Sequence, residues 1–211
     1  MDRKFLKSVA YVFLLVGVLG FLYSSYLLSH SVEIQRNIQL ASLVEGPEKI
    51  LEISEPTKFS DCVAYGPLPD PDCTPGAIFK DITKDEICVS GYSKTVRNVS
   101  QKLKNEIFTL YGVEYPVPFG SYEIDHLVPL SLGGNNEVAN LWPKSAEPFP
   151  GFFEKNVTGN YLKEEVCSGR IALTVAQEQI AKNWFLIYQN IDPKTVKNIK
   201  EKYPNWAEIR K

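Results

Sequence analysis

The chain has 211 residues, a formal net charge of -2, and 44% hydrophobic residues with 12% aromatics. That length holds one domain of ordinary size with appendages, and the apolar fraction is enough for a packed core. The near-neutral charge excludes strong nucleic-acid binding by net charge alone; any such contact must be local and salt-sensitive.

Between Lys7 and His30 run 22 residues without a formal charge, SVAYVFLLVGVLGFLYSSYLLS. As a helix this stretch reaches ~33 Å, about one hydrocarbon core. Arg3, Lys4 and Lys7 precede it and Arg36 comes after it. This bias keeps the N-terminus in the cytoplasm and sends the rest across. The run is long for a signal-peptide core, which favours an uncleaved transmembrane anchor. A cleaved signal with Ser29 and Ser31 at the cut is the alternative. Either way residues 1–30 export the remainder of the chain, to be membrane-anchored or secreted on the extracytoplasmic side.

Residues 31–60 are polar, weakly periodic and broken by Pro47 and Pro56, and read as a linker, with a short helix near Ile34 to Leu43. GPLPDPDCTPG is a loop entering a domain over 61–191. AIFKD and ICVSGY, rich in β-formers, predict a small hairpin. Val99, Leu103, Ile107, Leu110 and Tyr111 then recur at helical spacing, ended by Gly112. YEIDH is a short strand, LSLGGNN a turn, and ANLWP a second strand stopped by Pro143. A helix is expected over Glu154 to Val166. Another opens with Thr174 and Gln177 as a capping box and buries Ala176, Ile180, Trp184 and Ile187 on one face. Residues 192–211 form a charged tail helix or a frayed end.

The cysteines, Cys62, Cys73, Cys88 and Cys167, all lie after the apolar segment. In an exported chain they imply one or two disulfides, and three full pairings stay open. A zinc site built from all of them lacks any CxxC pair.

One stretch carries chemistry. Asp125 and His126 stand together at a strand end, before Pro129 and a Gly-Gly turn. Neighbouring strand residues point to opposite faces, and at a strand end both can approach one substrate from different sides. An ionised aspartate is a hard oxygen ligand for Mg²⁺ or a similar ion. A neutral imidazole takes a proton from water near neutral pH. Phosphodiester hydrolysis needs that pair of roles. The Asn140 side chain, with donor and acceptor, can pin the loop by bonding its backbone.

EIDHLVPLSLGGNNEVANLWP, residues 123–143, resembles an HNH endonuclease motif of the ββα-metal class. It matches the branch that reads roughly E-x-D-H-x-x-P-L-x-x-G-G-x-N and then N-L-W-P. CTPG at 73, IC and GYSKTVRNVS within 87–100, VCSG at 166 and AQEQIAKNW at 176 are similar to that branch's surroundings, so the resemblance spans about residues 60–190. It implies an α+β fold: a ββα-metal core with flanking helices and the small hairpin, after the N-terminal hydrophobic helix. It also implies a metal-dependent endonuclease acting on nucleic acid, DNA ahead of RNA. The cofactor would be a divalent metal ion, Mg²⁺ first, with Mn²⁺ or Zn²⁺ as alternatives. Asp125 would be a metal ligand, His126 the general base and Asn140 the asparagine bracing the loop. Arg97 would steady a phosphate with its bidentate fork.

On the next helix the branch has Lys-Asp or Lys-Asn, then Glu three residues later. Here Lys155 and Asn156 match the pair, but Gly159 stands where the Glu belongs. Asn156 is the expected further metal ligand, with Asn160 next. No protein partner is expected; the partners are nucleic acid and, through the N-terminal helix, a membrane. The rival reading is a catalytically degenerate HNH-fold protein serving as an exported binding or structural module.

For neighbouring residues blander roles compete. Glu123 is a second acid behind the site or a solvated edge residue. Lys155 meets phosphate or lies on the surface. Trp142 stacks a base or packs into the core, and Trp184 is core.

Overall fold

A computed structural model describes residues 20, 23–26 and 55–204. The chain divides into two units, Met1–Lys49 and Ile50–Lys211, and the second contains the expected domain. Most of the expected anchor and linker lies outside the described residues. Among those described, no helix is long and apolar enough to cross a membrane.

The second unit is α+β. Its elements are α1 (Lys84–Ile87), α2 (Tyr92–Val96), α3 (Gln101–Leu110), β1 (Tyr122–His126), β2 (Leu141–Ser145), α4 (Phe152–Cys167), α5 (Leu173–Asn190) and α6 (Pro193–Lys202). Short 3-10 turns, Leu130–Leu132 and Val138–Asn140, lie between the strands.

β1 and β2 pair antiparallel, with Ile124 opposite Pro143 and Asp125 opposite Trp142. Pro143 therefore does not stop the strand, as expected, but sits inside it. Leu127 N–H donates to the Asn140 carbonyl and Ala146 N–H to that of Ser121. Counting in twos from these pairs, Ile124 and Pro143 exchange no hydrogen bond, so the missing N–H faces outward and the ladder loses nothing.

Alternation along β1 divides its neighbours. Ile124 joins Leu141, Ile107 and Phe108 in a core beneath α3. The intervening Glu123 and Asp125 face the other way. A larger core gathers Ile87, Val128, Leu132, Leu162, Val166, Ala176, Ile180 and Trp184 between α4, α5 and the loop after β1. α6 closes on α4 through Val157, Ile191 and Ile199.

The predicted hairpin over AIFKD and ICVSGY is absent. Ile78 instead makes an isolated bridge to Gly134, and ITKDEIC becomes α1, capped by Thr83 with Glu86 in a reciprocal box. The β-forming residues were outweighed by a strong helix-start signal over so short a span. The expected capping box of Thr174 with Gln177 does not form. Ala172 is the N-cap of α5, and Gln177 turns inward to donate from Nε2 to the Leu132 carbonyl at 2.8 Å.

The cysteines form Cys62–Cys73 and Cys88–Cys167. The second ties the end of α1 to the end of α4. Lys144 is a buried cation: its ammonium donates to the Pro150 carbonyl at 2.8 Å and lies 5.3 and 5.1 Å from the Trp142 and Trp184 ring centres. Burial pushes its pKa down to about 8.

Cys88 and Cys167 are 79 residues apart and Cys62 and Cys73 are 11 apart. Loop-closure entropy gives the longer bridge about 4 kcal/mol and the shorter about 3. Urea titration of the Cys88→Ser/Cys167→Ser chain should show a large loss of stability; a midpoint equal to the parent's would show that this bridge does not stabilise the fold.

Candidate active site

β1 delivers two side chains to one cleft. Asp125 comes from the face turned toward α4, and His126 from the strand's last position. Arg97, at the C-terminal boundary of α2, is exposed on the rim, and α4 supplies Lys155, Asn156 and Asn160. Ser93, Glu123, Pro129 and Gly159 also line the cleft, whose volume is about 190 Å³. Thus Arg97, Asp125, His126 and Asn156, far apart in sequence, share one concavity.

Asn140 stands apart from them. It is fully buried and lines no part of the cleft. Its Oδ1 accepts from Val128 N–H at 2.8 Å, and Nδ2 donates to the carbonyls of Val128 at 3.0 Å and Asn135 at 2.9 Å. It braces the loop that begins directly after His126. The Gly-Gly turn makes room for this brace. Gly133 has φ +80°, and a Cβ on Gly134 would lie 1.7 Å from the Val128 carbonyl oxygen. No side chain fits there.

Lys155 is neither at the surface nor free for phosphate, the two roles its sequence position suggested. It is 1% exposed. Its ammonium donates to the His126 carbonyl at 2.7 Å and lies 2.8 Å from Asp125 Oδ2. The second contact is an ion pair without directed hydrogen-bond geometry, since Oδ2 is buried and has no hydrogen-bond partner. Two charges this far from water are tolerable only together. Lys155 thereby ties α4 to the end of β1.

Glu123 proves to be more than an edge residue: its Oε2 accepts from Asn156 Nδ2 at 3.3 Å. That bond directs the nitrogen of Asn156 to Glu123 and frees the carbonyl end for another contact. The oxygen donors of Asp125, Glu123, Asn156 and Asn160 are the type that suits a hard divalent cation. Among the described residues no three His, Cys, Asp or Glu side chains group closely enough to hold a metal. A cation here would therefore lean on an asparagine amide as well as carboxylates.

His126 is 3% exposed. Burial lowers its pKa to about 4; a hydrogen bond with Asn136 works against that shift, and the Arg97 charge adds to it. The ring is neutral at pH 7, as a general base must be. Nε2 lies 3.2 Å from Asn136 Oδ1; the G-G-x-N pattern includes this asparagine, but the sequence assigns it no role. Its one visible sign is its place as the second asparagine after Gly-Gly.

No family model, no curated protein and no solved structure matches the chain. The chemistry of the site itself is therefore what bears on function.

Two measurements test this anatomy. Asn140→Asp turns a donor facing two carbonyls into an acceptor, and urea unfolding should show a loss of about 3 kcal/mol; a loss under about 1 kcal/mol would contradict the brace. The second concerns His126 and pH. Its folded pKa, about 4, lies below the usual value of 6.5. The unfolded chain therefore takes up the proton first, and stability falls as pH drops from 6.5 toward 4. The cost reaches about 3 kcal/mol at about 1.4 kcal/mol per unit. Measured in chelator, His126→Gln should flatten that slope. Arg97, Asp125 and Lys155 surround the ring and are left unsubstituted in the comparison.

Proposed function

We propose that this chain is a metal-dependent endonuclease of the HNH type on a ββα-metal core, hydrolysing phosphodiester bonds, DNA ahead of RNA. The observation that carries the reading is the convergence of Arg97 from the end of α2, Asp125 and His126 from β1, and Asn156 from α4 on one cleft, with β1, β2 and α4 following one another along the chain. The two disulfides support export to an oxidising compartment, and the charge-free N-terminal run supports tethering to a membrane.

The division of labour comes from the side chains. His126, neutral at pH 7, accepts the proton of an attacking water. Arg97, exposed and without an ion pair among the described residues, engages non-bridging phosphate oxygens through its fork. Asp125 and Asn156, with Glu123 or Asn160 beside them, would hold a divalent ion, Mg²⁺ first. When bound, that ion supplies charge stabilisation on the phosphoryl and leaving oxygens. Lys155 holds Asp125 in place through their ion pair. Asn140 keeps the loop after His126 from drifting.

A second reading, a catalytically silent exported binding module, draws on two features. Gly159 offers no carboxylate, and Lys155 already neutralises Asp125.

Plasmid nicking by the detergent-solubilised full chain separates the two, run with Mg²⁺, Mn²⁺, Zn²⁺ and chelator. The enzyme reading expects ion-dependent nicking that drops about 10²- to 10⁴-fold in His126→Ala at unchanged circular dichroism. Wild-type chain that cuts nothing with any of these ions would leave the binding module.

A further inference from the structure

A single amide, that of Asn136, touches both the imidazole and the backbone on either side of the arginine. Its Nδ2 donates to the Val96 carbonyl at 2.8 Å. Its Oδ1 accepts from Asn98 N–H at 3.1 Å and lies 3.2 Å from His126 Nε2. Val96 and Asn98 flank Arg97. A carbonyl only accepts and a backbone N–H only donates, so both ends of the amide are assigned without ambiguity. An oxygen facing Nε2 requires that this nitrogen carry the hydrogen. The lone pair of the neutral ring is then on Nδ1.

We propose that Asn136 is a positioning residue that fixes His126 in the Nε2–H tautomer, leaving Nδ1 as the proton-accepting atom, while tethering the segment that carries Arg97. The proposal rests on the hydrolytic reading for its consequence in catalysis, but the tautomer claim stands on the hydrogen bonds alone. Asn136 touches no substrate. It acts through the ring it orients, much as an outer partner sets the tautomer of a histidine in many sites. It also links the two sides of the cleft, because the strand end bearing His126 and the rim bearing Arg97 move with one side chain between them.

The test uses nitrogen-15 histidine NMR on the full chain in detergent. The chain has two histidines, so a His30→Gln background leaves His126 as the sole imidazole. At pH 7, Nε2 should give the protonated signal and Nδ1 the unprotonated one. Asn136→Leu should give a mixture of tautomers. Asn136→Asp, which keeps an acceptor toward Nε2, should restore the single form. In the nicking assay kcat should fall about 10²-fold in Asn136→Leu and recover only in part in Asn136→Asp, which keeps the acceptor toward Nε2 but has no donor for the Val96 carbonyl. A wild-type ring protonated on Nδ1, or an unchanged tautomer in folded Asn136→Leu, overturns the proposal. Where Asn136→Leu does not fold, the wild-type and Asn136→Asp spectra still decide it. If the tautomer is as stated but the wild type never cuts, the hydrolytic reading fails and the orienting role survives.

Discussion

The site depends on one buried amide closing the excursion between the two strands. Asn140 satisfies both backbone groups of Val128 and the carbonyl of Asn135 with three hydrogen bonds, shielded from water. Had an apolar residue stood there, three buried polar groups would have lost their partners, each at a cost of about 1–3 kcal/mol. The two glycines are its corollary. The chain passes so close to Val128 that a methyl group at Gly134 would overlap the carbonyl. The motif is thus a folded loop whose end, at His126, is held still.

Orientation of Asp125 and His126 is divided between asparagines and a lysine. Asn140 holds the loop from within, Asn136 holds the ring of His126, and Lys155 holds Asp125 and the His126 carbonyl together. Each bond is modest in isolation. In a low-dielectric pocket such networks are cooperative, and a missing member leaves an orphaned polar group. This explains why the groups lying on the cleft, Asp125 and His126, are nonetheless nearly as buried as the core.

Much of this was legible in the sequence. Alternation and turn residues located β1 and the Gly-Gly loop, and helical spacing located α3 and the apolar face of α5. The convergence of Arg97, Asp125, His126 and Asn156 was implied by a motif of ordered residues, and Asn140 was placed as a brace. What was not legible has a common cause. The fate of ITKDEIC turned on local capping against β-propensity. The Pro143 strand turned on which way one N–H pointed. Lys155 turned on burial, and a lysine on a helix with little apolar periodicity gives no sign of facing inward. Asn136 turned on contacts with a backbone 38 residues upstream. Such facts belong to tertiary packing, which a period-counting reading does not reach.

Charge balance in the cleft bears on how a near-neutral chain would engage a polyanion on the proposed reading. Glu123 and Asp125 oppose Arg97 and Lys155, so the lining carries no net charge. A phosphodiester brings one negative charge and finds no net attraction there. Adding a divalent cation among the oxygen donors of the cleft would turn the lining positive, and attraction would then be local. Gly159 fits the same logic. Pro129, in the braced loop, sits so near that a Cβ at 159 would lie 3.0 Å from its ring. A side chain there would require Pro129 to give by a few tenths of an ångström. On the proposed reading, this chain leaves the remaining coordination to Glu123 and the asparagine amides.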